Sequence, residues 1–145
     1  MKNLKLIAVI LLALLVSLAA CSNQAQEETE MDITGITWQW LRFEDSTGSN
    51  NIEVSDPTSY NLILISDGSY NANVDCNQVI GSYTLEGNSI TFVPGFTTLA
   101  ECGPESHYYT FLDQLTKVAT FVMDGDNLVL NLSADGGNLV FAPAE

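Results

Sequence analysis

The chain has 145 residues, 46% of them hydrophobic, and 18 acidic side chains against four basic ones give it a formal charge of −14. That balance excludes nucleic acid as a partner, because a polyanion is held by clustered Lys and Arg and repelled by carboxylates. The length suits one compact domain after any processing.

From the N-terminus, residues 1–20 have the three-part layout of a secretory signal. Lys2 and Lys5 precede an unbroken apolar run from Leu6 to Val16, and the small-residue tail Ser17-Leu18-Ala19-Ala20 follows. A spanning helix needs roughly 20 apolar residues, and Ser22-Asn23-Gln24 interrupts the run before that length is reached. The segment therefore reads as a cleaved leader. Leu18-Ala19-Ala20-Cys21 is similar to a lipobox, which predicts diacylglycerol on the Cys21 thiol and cleavage in front of it. Two or three acyl chains, palmitate among them, would anchor the protein where a single chain could not. The expected location is the outside of a cell membrane or outer membrane, and Ser22 after the cysteine favours outer-membrane sorting in a host with two membranes.

Loss of the leader removes Lys2 and Lys5 and keeps all 18 acidic residues, so the formal charge of residues 21–145 becomes −16. Such a field repels anionic lipid headgroups and favours either plain solubility or a protein partner with a basic surface. Residues 21–34 contain Gln24, Gln26, Glu27, Glu28, Glu30 and Asp32 with few apolar side chains, the composition of a flexible acidic tether.

From residue 35 to 143 the pattern changes to short alternating runs between turn residues, the signature of an antiparallel sheet. Ile36, Trp38 and Trp40 share one face of a first strand, and Tyr60, Leu62 and Leu64 one face of the next. Asp67-Gly68 offers a tight turn to a strand with Tyr70, Ala72 and Val74 on one side. Tyr83 and Leu85 lead through Gly87-Asn88 to Ile90 and Phe92 in a second hairpin. Tyr108, Phe111, Leu112 and Leu115 fall at i, i+3, i+4 and i+7, which predicts one amphipathic helix with His107 on its polar side. Pro104 fits its first position, and Glu105 and Lys117 fit its dipole. Ala119, Phe121 and Met123, then Leu128, Leu130 and Leu132, then Leu139 and Phe141 read as a three-stranded meander with turns at Asp124-Gly125-Asp126-Asn127 and Asp135-Gly136-Gly137.

An ordered set of these pieces resembles a known family. Gly35-Ile36-Thr37-Trp38, Tyr60 with Asp67-Gly68, Asp75-Cys76-Asn77 with Gly81-Ser82-Tyr83, Thr97-Thr98 with Cys102, Phe111-Leu112-Asp113-Gln114-Leu115 and the strands around Leu130 and Phe141 are similar to the META domain, the family that includes the bacterial heat-shock-associated protein HslJ. Leu99-Ala100-Glu101 departs from the methionine and small residue that many members carry. The resemblance implies an α+β, mostly β fold: an antiparallel, partly open barrel-like sheet with one packed helix. It also implies frequent occurrence in lipoproteins and a link to envelope stress, secretion or virulence, with no established catalytic machinery.

Chemistry-bearing residues are few. Cys76 and Cys102 are the cysteines left in the folded part of an exported chain, and such pairs are normally oxidised. A thiol mechanism would need Cys76 free, or Ser106 activated, with His107, the sole histidine, within hydrogen-bond reach. Nothing in the spacing provides that. Asp124-Gly125-Asp126 fails as a calcium loop, because Leu128 takes the next ligand position and no Glu closes twelve residues. No metal ligand set and no cofactor are expected. Asn77 reads as a turn residue that tolerates left-handed φ, and Trp38 and Trp40 as core. The expected protein is a non-enzymatic, lipid-anchored accessory or interaction module of the cell envelope. Two rivals are a carrier of a small apolar ligand in the barrel mouth and an acidic inhibitor of a basic envelope-directed enzyme such as lysozyme.

Overall fold

The computed structural model describes residues 31–145. The leader, Cys21 and most of the tether read from the sequence lie outside the described residues. Nine strands and one helix follow in chain order: β1 (Thr37–Glu44), β2 (Ile52–Glu53), β3 (Tyr60–Leu64), β4 (Ser69–Val74), β5 (Asn77–Glu86), β6 (Ser89–Thr97), α1 (Tyr108–Leu115), β7 (Val118–Asp124), β8 (Asn127–Leu132) and β9 (Asn138–Pro143). Every pairing is antiparallel, in the order β2-β1-β3-β4-β5-β6-β7-β8-β9, and β1 also pairs with β9. The sheet thus curls into a barrel-like ring, as the family resemblance implies. The ring is loosest between β6 and β7, which share only the Ser89–Thr120 pair.

Alternation sends every second side chain inward. Trp38 and Trp40, Tyr60, Leu62 and Leu64, Tyr70, Ala72 and Val74, Ile90 and Phe92, and Leu128, Leu130, Leu139 and Phe141 are all buried. Bulges shift this parity at three places. After Trp40 the next buried side chain of β1 is Phe43, because the register with β9 shifts between Trp40 and Arg42. A second shift lies opposite Ile80 and Gly81, where β6 holds the extra Gly95. The third removes Ala119 from the inward row, so β7 buries Val118 and Phe121 in place of the expected Ala119 and Phe121. One glycine is indispensable to ring closure. Gly137 has φ +105° and lies where an added Cβ would strike the Glu44 carbonyl oxygen, so only glycine lets β9 start beside the end of β1.

The helix packs against the core of the ring through Tyr108, Phe111 and Leu115. Phe111 meets Trp40 at 5.1 Å between ring centroids and Phe141 at 6.2 Å, both edge-on, the arrangement that aromatic quadrupoles favour. Its ends differ from expectation. α1 starts at Tyr108, four residues after Pro104, with His107 as its N-cap, and no acidic residue lies in its first turn. Lys117 bonds Asp113 across 2.7 Å on the exposed surface instead of capping the final carbonyls, a pair worth only a fraction of a kcal/mol.

These buried side chains form one continuous core cluster inside the ring. Tyr70 is fully buried, its hydroxyl has no partner among the described residues, and burial pushes its pKa up to about 12. The folded unit also begins earlier than expected. Ile33, placed in the tether by composition, is 1% exposed, and its carbonyl accepts from Trp38 Nε1 at 3.0 Å. Asp32 accepts from the Thr34 hydroxyl and N–H, which hold its carboxyl below the usual range.

Candidate functional site

The chemistry-bearing residues of the middle of the chain gather at one end of the ring, where the β4–β5 turn meets the long connection from β6 to α1. Asp75 takes a left-handed φ of 58° in that turn, and its N–H donates to the Ser59 carbonyl at 2.8 Å. This reverses the chain so that Cys76 faces Cys102. The two are joined in a disulfide with Cα atoms 5.6 Å apart, as the compartment argument predicts. Cys76 Sγ is therefore not a free thiolate, and the thiol mechanism has no nucleophile.

Asn77 departs from expectation. The positive φ belongs to Asp75, and Asn77 is the first residue of β5, with its side chain 0% exposed. Its carboxamide crosses to the connection after β6. Nδ2 donates to the Ala100 carbonyl at 3.0 Å and approaches Cys102 Sγ at 3.2 Å. Oδ1 accepts from Ala100 N at 2.7 Å and from Thr98 Oγ1 at 2.9 Å. One amide thus uses both ends to hold residues 98–102, and the adjacent disulfide ties the same segment covalently. A buried amide is tolerated because its donors and acceptors are met. Only the adjacency Cys76-Asn77 pointed to it in the sequence, since its partners lie more than 20 residues on.

Beyond the disulfide, the connection turns at Pro104 and Glu105 and runs along the start of β3, leaving an open cleft of about 300 Å³. Asp56, Asp75 and Glu105 contribute carboxylates to its lining, and Tyr60, Ser106 and His107 complete it. The Tyr60 hydroxyl accepts from His107 N at 3.0 Å. The imidazole is half-buried, edge-on to Trp40 at 6.0 Å and tilted against Tyr60 at 6.3 Å. His107 is thus turned toward the aromatic cluster, not to the polar side of the helix where its spacing placed it. Ser106 Oγ, one residue before the His107 N-cap, accepts from Tyr108 N at 3.3 Å.

The cleft lining holds three carboxylates and neither Lys nor Arg. Hydrogen bonds from the Thr58 and Ser59 hydroxyls hold the Asp56 carboxyl below the usual range. Its lone pairs are largely committed to those neighbours, and what it offers the cleft is charge. Among the described residues no three His, Cys, Asp or Glu side chains converge closely enough to hold a metal ion. Asp124-Gly125-Asp126 is a tight turn, with Gly125 at φ +61° and Asp124 paired to Asn127.

A family model described as META domain matches residues 31–145. No curated protein matches the chain significantly. Two solved structures share the architecture. One is a protein from Burkholderia xenovorans, 22% identical, with a TM-score of 0.61, covering 77% of this chain and 83% of that one. The other is a DUF4847 family protein from Bacteroides vulgatus, 15% identical, with a TM-score of 0.58, covering 79% of this chain and 96% of that one. At these identities the likeness concerns the fold alone.

Proposed function

The chain belongs to the META domain family, and from that premise we propose that it is a lipid-anchored, non-enzymatic accessory module of the cell envelope that docks a basic protein through the cleft beside Tyr60 and His107. The observation that carries this reading is the lining of that cleft, which Asp56, Asp75 and Glu105 share with Tyr60 and His107, and in which no three His, Cys, Asp or Glu side chains converge on a metal site among the described residues. Separated carboxylates over apolar faces suit the long, amphipathic side chains of Lys and Arg, whose stems pack on rings while their heads meet charge. The −16 charge of residues 21–145 adds long-range steering of a basic partner. A disulfide-linked Cys76 and a Ser106 hydroxyl that accepts from Tyr108 N support a binding role over a nucleophilic one.

Lysozyme is a suitable basic probe. The protein carrying Cys21→Ala, which keeps it free of lipid, is expected to associate with it at a rate that falls at least about tenfold from low to physiological ionic strength, as screening shortens to about 8 Å. Joint replacement by Asp56→Asn, Asp75→Asn and Glu105→Gln should slow association and speed dissociation. If the triple variant binds with unchanged kinetics, the cleft is not the docking site. The anchor has its own test. Cys21→Ala should move the protein from the membrane to the soluble exported fraction, and a variant that stays membrane-bound after leader removal, confirmed by N-terminal mapping, refutes the lipid assignment.

A further inference from the structure

The outer surface of the ring carries a feature that the acidic cleft does not use. Outward side chains of β1, β3, β4, β5 and β6 form a row across the strands: Thr37 opposite Ile63, Ile63 opposite Asn71, Asn71 opposite Ile80, and Ile80 opposite Phe96. A second row runs beside it, with Gln39 opposite Asn61, Asn61 opposite Asn73, and Asn73 opposite Gln78. Thr37, Ile63, Asn71 and Ile80 of the first row and Asn61, Asn73 and Gln78 of the second line a groove of about 350 Å³ over β1, β3, β4 and β5, and Phe96 lies just beyond it, opposite Ile80. Neighbouring strands lie about 4.8 Å apart, so the groove presents polar groups at a regular spacing along its length.

Its composition is unlike the rest of the surface. Not one ionisable side chain lines the groove, in a chain with 18 acidic residues and four basic ones. The side-chain amides of Asn71 and Gln78 are exposed, and among the described residues neither makes a side-chain hydrogen bond. Each therefore offers donors and an acceptor together. At one end, Ile80 and Phe96 stand out at 53% and 72% exposure.

These properties narrow the occupant by exclusion. A cation or basic peptide finds no carboxylate in the groove, and an anion meets the repulsive field of the whole chain. A purely apolar ligand would strip water from the amides without replacing its hydrogen bonds, which is unfavourable for each group. What fits is a neutral molecule with many hydroxyls, each both donor and acceptor, and with apolar C–H faces that can lie on Ile80 and on the Phe96 ring. We propose that this groove binds a neutral oligosaccharide chain laid across the strands, with Asn71 and Gln78 contacting hydroxyls and Phe96 serving as a stacking platform.

The test is a titration of the isotope-labelled protein carrying Cys21→Ala with chitotetraose and, separately, cellotetraose, followed by backbone and side-chain amide NMR signals. At least one of them should give saturable shifts confined to Asn61, Asn71, Asn73, Gln78, Ile80 and Phe96, with a Kd of about 1 mM or tighter. The pair distinguishes an N-acetylated glycan from a plain glucan as the source of the chemistry. Asn71→Asp and Phe96→Ala, both at exposed positions, should each weaken binding at least about fivefold, roughly 1 kcal/mol, with the thermal midpoint unchanged. Absence of saturable shifts with both saccharides at about ten times that concentration overturns the proposal. So do shifts centred elsewhere, unchanged affinity in both variants, or a groove that responds to a neutral peptide and to neither saccharide.

Discussion

Reduction of the Cys76–Cys102 disulfide should lower the unfolding free energy by about 3.5 kcal/mol, the value that loop-closure entropy gives for a cross-link spanning 26 residues. The enclosed segment holds β5, β6 and the start of the connection to α1. In the unfolded chain the bond denies that segment much of its freedom, whereas in the folded ring the β5–β6 ladder already holds most of it. Because a small domain is stable by only about 5–15 kcal/mol in total, the loss should appear as a large fall in the urea midpoint. Joint replacement by Cys76→Ser and Cys102→Ser should reproduce it. A change below about 1 kcal/mol on both routes would mean that Asn77 and the strand ladder alone hold the connection, and that the bond does little to the unfolded state.

Asn77→Asp should cost about 3 kcal/mol at neutral pH, comparable with leaving one charge buried and uncompensated. The replacement keeps Oδ1 as acceptor for Ala100 N and Thr98 Oγ1, but it sets a second oxygen where Nδ2 now donates to the Ala100 carbonyl at 3.0 Å. Two facing acceptors repel, and the introduced carboxyl relieves this by keeping its proton and donating it to that carbonyl. Its folded pKa is then raised above its unfolded value near 3.9. Stability is accordingly retained below the unfolded pKa and lost as pH rises through the folded one. The variant should therefore regain most of its stability relative to the parent in acid, while Asn77→Ala, about 2 kcal/mol less stable from lost bonds, should show no such recovery. A variant with the same deficit at pH 4 and pH 7 would contradict the hydrogen-bond assignment. Coupling between Asn77→Ala and loss of the disulfide in a double-mutant cycle should exceed about 0.5 kcal/mol, because both act on residues 98–102.

What the chain's local order determines is what depends on neighbours within a turn or two. The alternation of Tyr60, Leu62 and Leu64, or of Tyr70, Ala72 and Val74, follows from the twofold period of a strand and survives unchanged in the ring. The spacing of Tyr108, Phe111 and Leu115 likewise identifies the buried side of α1. The cysteine pair was legible from its number and the expected compartment alone. Tertiary structure decided everything that requires register between distant segments. Trp40 stands opposite Phe141, a closure that no local period encodes, and the bulges around Leu41, Gly95 and Ala119 shift which residues point inward without any strong local signal. Ile33 reads as tether because its neighbours are polar, yet it is buried, with its carbonyl tied to the Trp38 indole. His107 was assigned by a helical period that does not extend to it: as N-cap it lies outside the regular turn, and the packing of Trp40 and Tyr60 orients its ring. The same limit applies to Asn77 and to the neutral groove. A residue's type shows which bonds it can make, but only the folded register brings Ala100 to an amide 23 residues earlier, or aligns Asn71 with Ile63 on one side and Ile80 on the other.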